Sequence, residues 1–203
     1  GSFGHEDMYA LDLLTDVLTR GRSSILTKKL KEELQCVHKI SAGNWTPAFG
    51  PGYFVVSITC DEEEIPRATE ALLEELAALA ETPPSADHVE RAKRQQQVRY
   101  FDGLQTADQI AGELANNLVV AGSPRFHADY INRMQRVTPE ELSEVARTYF
   151  VTNRMVTAHL LPARDEGTEK EARASASAAV TAPAQAVTNL SNGIRVICIP
   201  DGL

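Results

Sequence analysis

The chain has 203 residues, of which 43% are hydrophobic and 24% charged, a balance typical of a folded domain with a sizeable core. Its formal net charge of -8 argues against a nucleic-acid partner, since such proteins need clustered lysine and arginine to neutralise phosphates. The apolar runs stay far below the ~20 residues of a membrane-spanning helix, so the sequence predicts no membrane span.

Two helices are predicted at the start of the chain. Apolar residues recur at helical spacing over 8–20, and Gly21 follows where a left-handed residue would end a helix. Ser23 or Ser24 can cap a second helix, which runs to Leu34 with an amphipathic pattern.

Between Cys36 and Cys60, the spacing of the apolar residues changes from a helical period to a period of two residues. The second half of this stretch is rich in β-branched and aromatic residues, as strands are. Proline and glycine are frequent within 43–52, which favours a connection there. The sequence therefore predicts two strands joined across 43–52.

Five more helices are predicted from their start and stop signals. Proline is suited to a first turn, and a Ser or Thr followed three residues later by Gln or Glu forms a capping box. The predicted helices are 66–82, 85–101, 106–122, 126–134 and 138–149.

The last part of the chain changes character. Residues 155–161 are predicted to form a strand that closes a first domain, 1–162. Residues 163–186 are small and polar, which predicts a flexible linker. Beyond it, two apolar runs around Asn192-Gly193 predict a hairpin within 187–203, the truncated start of a following domain.

These elements predict an α+β fold in which helices are the majority. Strands near 36–60 and 155–161 with a run of helices between them favour two layers, a mainly antiparallel sheet covered on one face by helices. A nucleotide-binding or repeat architecture is not indicated, because no GxGxxG, P-loop or solenoid period occurs.

The sequence predicts no catalytic residue and no metal ligand in this chain. No two of its five histidines are separated by three or four residues, as ligands on one helix turn would be. A Gly-x-Ser-x-Gly nucleophile motif is also absent.

The order of several motifs resembles the second, non-zinc domain of insulinase/pitrilysin-type zinc metallopeptidases, the family that includes mitochondrial processing peptidase. The resemblance covers roughly residues 8–162 and implies a ferredoxin-related metallopeptidase-like fold. It is carried by a helix ending in glycine and serines, a second helix leading into a strand, Gly52-Tyr53-Phe54, the 86–97 helix, and 123–142 with Tyr149-Phe150.

The resemblance also implies how the rest of the chain is organised. Members of this family consist of two similar halves, each of two related α+β domains, that close like a clam shell. The resemblance implies that this chain is the second domain of one half, followed by a linker and the first strands of the next half. The zinc motif H-x-x-E-H belongs to the preceding domain and is absent here, so no cofactor is expected in this chain and zinc is implied for the parent protein.

The resemblance also implies two candidate substrate-binding residues, Lys31 and His38. In the non-zinc half of the family, an Arg and a Tyr seven positions apart assist the scissile peptide, and Lys31 and His38 occupy the matching positions. Lysine lacks the guanidinium fork and imidazole is not a phenol, so a solvated lysine and a strand histidine are the alternative interpretation.

The implied function is a non-catalytic part of the peptide-binding chamber of a zinc metallopeptidase. The expected partners are a peptide substrate and the other domains of the parent chain, with pairing between copies through an open sheet edge as a further expectation. The alternative is a structural or assembly subunit, like the proteolytically silent core proteins of respiratory complexes. The compartment stays open, with the bacterial periplasm and secretion both compatible.

Overall fold

The computed structural model describes residues 5–47, 50–151 and 155–161, together with the backbone of 186–189 and 195–198. The chain divides into two units, Gly1–Thr157 and Ala158–Leu203. The described part of the first unit is rich in helix and contains one antiparallel hairpin, which confirms the predicted α+β class.

From α1 to α6 the elements of the first unit follow the order predicted from the sequence, with the second helix wound as a π-helix and one short 3-10 helix added. The α-helices are α1 Asp7–Thr19, α2 Ile65–Glu81, α3 Ala86–Asp102, α4 Ala107–Ala121, α5 Phe126–Met134 and α6 Pro139–Tyr149. The π-helix is Thr27–Glu33, the 3-10 helix is Glu62–Glu64, and the strands are β1 Lys39–Trp45 and β2 Tyr53–Thr59. No helix in the described ranges has the length and apolarity needed to cross a bilayer.

Local capping fixes several helix ends. Thr106 and Thr138 each accept a hydrogen bond at 3.2 Å from the backbone N–H three residues on, and Gln109 and Glu141 complete the predicted capping boxes. These bonds satisfy N–H groups that a helix start leaves without partners. Gly21 has φ +88°, which confirms the predicted left-handed stop after α1.

Helix α1 is the centre of the core. Leu11, Leu13, Leu14, Val17 and Leu18 are all between 0% and 1% exposed. They are buried because α1 is covered on several sides, by β1, α3, α5 and α6. The predicted apolar spacing over 8–20 thus corresponds to the most completely buried segment of the described chain.

The hairpin β1–β2 presents one face to this core. Its register runs from Lys39↔Thr59 to Trp45↔Tyr53, and the even-numbered side chains point inward. Ile40 and Ile58 pair on the inner face, and Phe54 packs against Phe150 beyond α6 at a ring distance of 4.9 Å. The helices therefore cover one face of the sheet, as predicted.

The second unit contributes a second hairpin. Strands β3 Ala186–Asn189 and β4 Arg195–Cys198 pair antiparallel, from Ala186↔Cys198 to Asn189↔Arg195. This pairing agrees with the hairpin predicted within 187–203. The predicted turn at Asn192-Gly193 and most of the predicted linker, 163–185, lie outside the described residues.

The prediction of a closing strand over 155–161 is wrong. These residues form no strand, and their side chains are exposed, with Val156 at 92% and Leu160 at 99%. A strand needs a neighbouring backbone to complete its hydrogen bonds, and a β-prone composition does not supply one. Among the described residues, the sheet of the first unit consists of β1 and β2.

The second predicted helix forms, but it is wound as a π-helix. Its characteristic bond joins the N–H of Leu34 to the carbonyl of Lys29, five residues back, at 2.9 Å. The wider winding turns Lys28 toward Glu33, at 3.9 Å. Glu32, which the i,i+4 spacing of an α-helix would place beside Lys28, instead pairs with Arg22 at 3.1 Å.

Candidate functional site

Lys31 lies on the π-helix Thr27–Glu33, and its side chain is exposed. The neighbouring cations are already paired, since Lys28 and Lys29 each lie 3.9 Å from Glu33. Lys31 has no ion pair or hydrogen bond with any other side chain that the structure describes. Its ammonium group is therefore available to a ligand.

His38 lies one residue before β1 and is anchored through its backbone. Its N–H donates to the carbonyl of Thr59 at 2.8 Å, which extends the hairpin by one bond. Its Nε2 lies 3.2 Å from Asp61 Oδ1, with the two side chains 64% and 76% exposed. An exposed pair of this kind is weak and easily exchanged, so the imidazole is oriented yet accessible.

The structure does not join Lys31 and His38. Within the described part of the chain, neither a hydrogen bond nor an ion pair connects them. Each can still act alone, because an ammonium group offers three donors and an imidazole N–H offers one. The arrangement provides two separate hydrogen-bond donors and no coupled acid–base pair.

The turn between these two residues is held in a strained conformation. After the π-helix, Gln35 has φ +53°, the left-handed region that residues other than glycine rarely adopt. The next residues, Cys36 and Val37, are 2% and 4% exposed and anchor the chain in the core. The sequence did not indicate this turn, because glycine and asparagine are the usual signals of a left-handed residue and position 35 is a glutamine.

Replacing Gln35 with glycine is expected to raise the free energy of unfolding by about 1 kcal/mol. Glycine adopts positive φ without a Cβ penalty, and the exposed Gln35 side chain contributes little packing. Chemical denaturation measures the change. The matched control is Gln35→Ala, which keeps the Cβ atom and should give no gain; a glycine variant less stable than wild type would contradict the left-handed assignment.

The outer face of the hairpin carries a second accessible surface, at the end of the hairpin opposite His38. Trp45 and Tyr53 end the two strands at 46% and 57% exposure, with their ring centroids 5.3 Å apart, and Val55 is 42% exposed. Because side chains alternate along a strand, these residues face away from the core. The face offers aromatic and aliphatic contact area, and the strand edges offer backbone hydrogen-bonding groups.

The described residues do not fit a catalytic metal centre. No group of three or more His, Cys, Asp or Glu side chains among them is arranged to hold a metal ion. The histidines at 5, 38, 88, 127 and 159 also lack the spacing of ligands on one helix turn. The chemistry available at the site is hydrogen bonding and apolar contact with an extended ligand.

Comparison with protein families matches the first half of the described fold to a known family. Residues 1–96 match the family described as the peptidase M16 inactive domain. This segment contains α1, the π-helix, the hairpin and α2, and it includes both Lys31 and His38. A search of curated protein sequences found no match.

Solved structures share the fold. The inactive peptidase domain of a candidate zinc protease from Bordetella parapertussis has a TM-score of 0.70 at 17% identity, covering 82% of this chain and 90% of that one. A candidate zinc protease from Bordetella pertussis Tohama I has a TM-score of 0.62 at 18% identity, covering 75% and 84%. A protease from Helicobacter pylori has a TM-score of 0.61 at 22% identity, where the match covers 74% of this chain but only 36% of the protease.

Proposed function

We propose that the chain forms part of the peptide-binding chamber of a zinc metallopeptidase, on the premise that the match of residues 1–96 to the peptidase M16 inactive domain places it among the insulinase/pitrilysin-type peptidases. The proposal places the zinc and the bond-breaking chemistry in another domain of the parent protein. The function of this domain is to confine and orient the peptide.

The observation that carries the proposal is the exposed ammonium group of Lys31, which has no partner among the described residues. The family resemblance assigns a substrate-binding role to its position, and its ammonium group is exposed and unpaired among the described residues while Lys28 and Lys29 are paired. A peptide carbonyl that accepts a hydrogen bond from Lys31 would replace water and fix the register of the backbone. His38 would supply a second donor once a carbonyl competes with Asp61 for its ring.

The outer face of the hairpin supports the same function. Trp45, Tyr53 and Val55 give side chains of a bound peptide an apolar surface, and the edge of a strand can pair with an extended backbone. Such contacts are tolerant of sequence, because backbone hydrogen bonds do not depend on side-chain identity. A chamber that accepts varied peptides needs surfaces of this kind.

A photo-cross-linking experiment tests the chamber assignment. Full-length protein is inactivated with a zinc chelator and irradiated with an extended peptide that carries a benzophenone group. We expect cross-links to Trp45, Tyr53 or Val55, which unlabelled peptide in excess suppresses. Cross-links confined to α2 and α6, or the same labelling with excess competitor, would contradict the assignment.

In the full-length enzyme, Lys31→Met is expected to lower kcat/KM for a peptide substrate by about tenfold, because one charge-assisted hydrogen bond is lost. Steady-state kinetics on a fluorogenic peptide measures it. The matched control is Lys28→Met, which removes another exposed lysine of the same helix, one that is already paired with Glu33. Equal effects of the two substitutions would contradict a substrate contact at Lys31.

A further inference from the structure

A cleft of about 630 Å³ opens beside α1. It is lined by residues of α1, β1, α3, α4 and α5, so its walls come from both the sheet and the helical layer. The volume lies within the usual range of small-ligand sites. Its charged, imidazole and phenol side chains are those of Asp12, Arg99, Tyr100, Glu113, His127 and Tyr130.

Asp12 is an acidic group held firmly in the floor of this cleft. Its Oδ1 accepts from Asn44 Nδ2 at 2.8 Å, and its Oδ2 accepts from the Tyr130 hydroxyl. Burial raises the pKa of Asp12 above its usual range, with the two hydrogen bonds opposing that shift. A cation placed beside Asp12 would offset the cost of its buried negative charge.

Glu113 brings a second carboxylate to the cleft from α4. Its Oε1 contacts His127 Nδ1 and accepts from Asn117 Nδ2 at 3.0 Å. Its Oε2 makes no hydrogen bond with any residue in the described ranges. One oxygen thus fixes the orientation of the carboxylate, and the other retains its full acceptor capacity.

The aromatic side chains form one wall. The ring centroids of Tyr100 and Tyr130 lie 4.8 Å and 5.9 Å from that of His127. The phenol of Tyr130 keeps its proton because burial and the nearby Asp12 carboxylate raise its pKa. Tyrosine ring faces attract cations, and this attraction strengthens where water is partly excluded.

The positive charge of Arg99 does not cancel the negative charge of the two carboxylates in the cleft. Its Nη2 lies 3.1 Å from Oδ2 of Asp16, a carboxylate that is only 1% exposed. Asp16 also pairs with Arg20, so it balances Arg99 only in part. Among the described residues that line the cleft there is no lysine, and the two carboxylates of Asp12 and Glu113 outnumber the single arginine.

We infer that this cleft binds the ammonium or guanidinium group of a basic amino-acid side chain, with Asp12 and Glu113 as the anionic partners and the Tyr100 and Tyr130 rings as an aromatic wall. The stem of a lysine or arginine would contact the rings while its charged end reaches the carboxylates. This inference does not depend on the chamber proposal, because a single blocked residue can occupy the cleft without any cleavage.

The test is a titration followed by amide NMR shifts, with three probes that share a blocked backbone. N-acetyl-lysine methylamide and N-acetyl-arginine methylamide should shift signals of His127 and Tyr130 with saturable curves. N-acetyl-norleucine methylamide, which lacks the charge, should bind at least about tenfold more weakly. Equal binding of norleucine, or shifts that avoid the cleft, would overturn the inference.

Two variants locate the binding. Glu113→Gln should weaken lysine binding about tenfold, while Glu144→Gln, the same charge change on the exposed face of α6, should leave it unchanged. Should the Glu113 variant melt early, Asn116→Trp serves instead, since Asn116 is exposed, lines the cleft and would fill it. Lysine binding that survives in a folded cleft variant would also overturn the inference.

Discussion

Replacing Leu14 with alanine is expected to lower the free energy of unfolding by about 3 kcal/mol. Leu14 is 0% exposed in the middle of α1, where β1, α3, α5 and α6 surround the helix. Because so many elements meet there, the neighbours cannot all move inward, and a cavity would remain. Thermal and chemical denaturation should both show the loss, with the midpoint falling by roughly 6–12 °C.

The matched control for this prediction is Leu118→Ala. Leu118 is also on a helix, α4, but it is 55% exposed. The same truncation should there cost about 0.5 kcal/mol or less. Similar losses at the two leucines would contradict the assignment of α1 as the core helix.

The double replacement Arg20→Met and Arg99→Met is expected to cost roughly 3 kcal/mol. The carboxylate of Asp16 is 1% exposed and makes ion pairs with both guanidinium groups, that of Arg99 at 3.1 Å. Each arginine is about half exposed and would be readily rehydrated, so the cost arises from the buried carboxylate that loses its partners. Urea denaturation at neutral pH measures it.

A third substitution separates charge from packing. Adding Asp16→Leu to the double variant removes the stranded carboxylate, and most of the lost stability should return. The matched control is Arg22→Met with Arg94→Met, two exposed arginines away from Asp16, which should leave the unfolding free energy within experimental error. If the triple variant were no more stable than the double variant, the cost would have to come from lost arginine packing.

Much of the fold was predictable because its signals are local. The capping boxes at Thr106 and Thr138 and the glycine after α1 act within one turn of chain, and the structure contains all three. The apolar spacing of α1 likewise predicted the helix that is most deeply buried. Where a few neighbouring residues determine the backbone, sequence patterns are sufficient.

The failures depend on contacts or windings that local patterns do not encode. Residues 155–161 have strand-like composition, yet a strand also needs a partner elsewhere in the chain. The π-helix differs from an α-helix by one step in its hydrogen bonds, and leucines at 26, 30 and 34 suit both. The strained turn at Gln35 follows from this winding together with the burial of Cys36.

In the candidate site, too, some features follow from the local sequence and others depend on contacts that form only in the folded chain. Exposure of Lys31 follows from its place on an amphipathic helix, but its lack of a partner depends on how Lys28, Lys29 and Glu33 are arranged in the π-helix. The contact of His38 with Asp61 arises only when the hairpin closes. The acidic cleft draws on five elements, so no window of sequence could have shown it.

The most direct test of the central proposal is a comparison of peptide hydrolysis by this chain and by its full-length parent, each with and without a zinc chelator. We expect cleavage by the full-length protein alone and its loss on chelation, with this chain silent in both conditions. Chelator-sensitive cleavage by this chain by itself would contradict the assignment of the zinc site to another domain. Silence of a zinc-loaded full-length protein across a broad peptide library would contradict the peptidase proposal and favour a structural or assembly subunit.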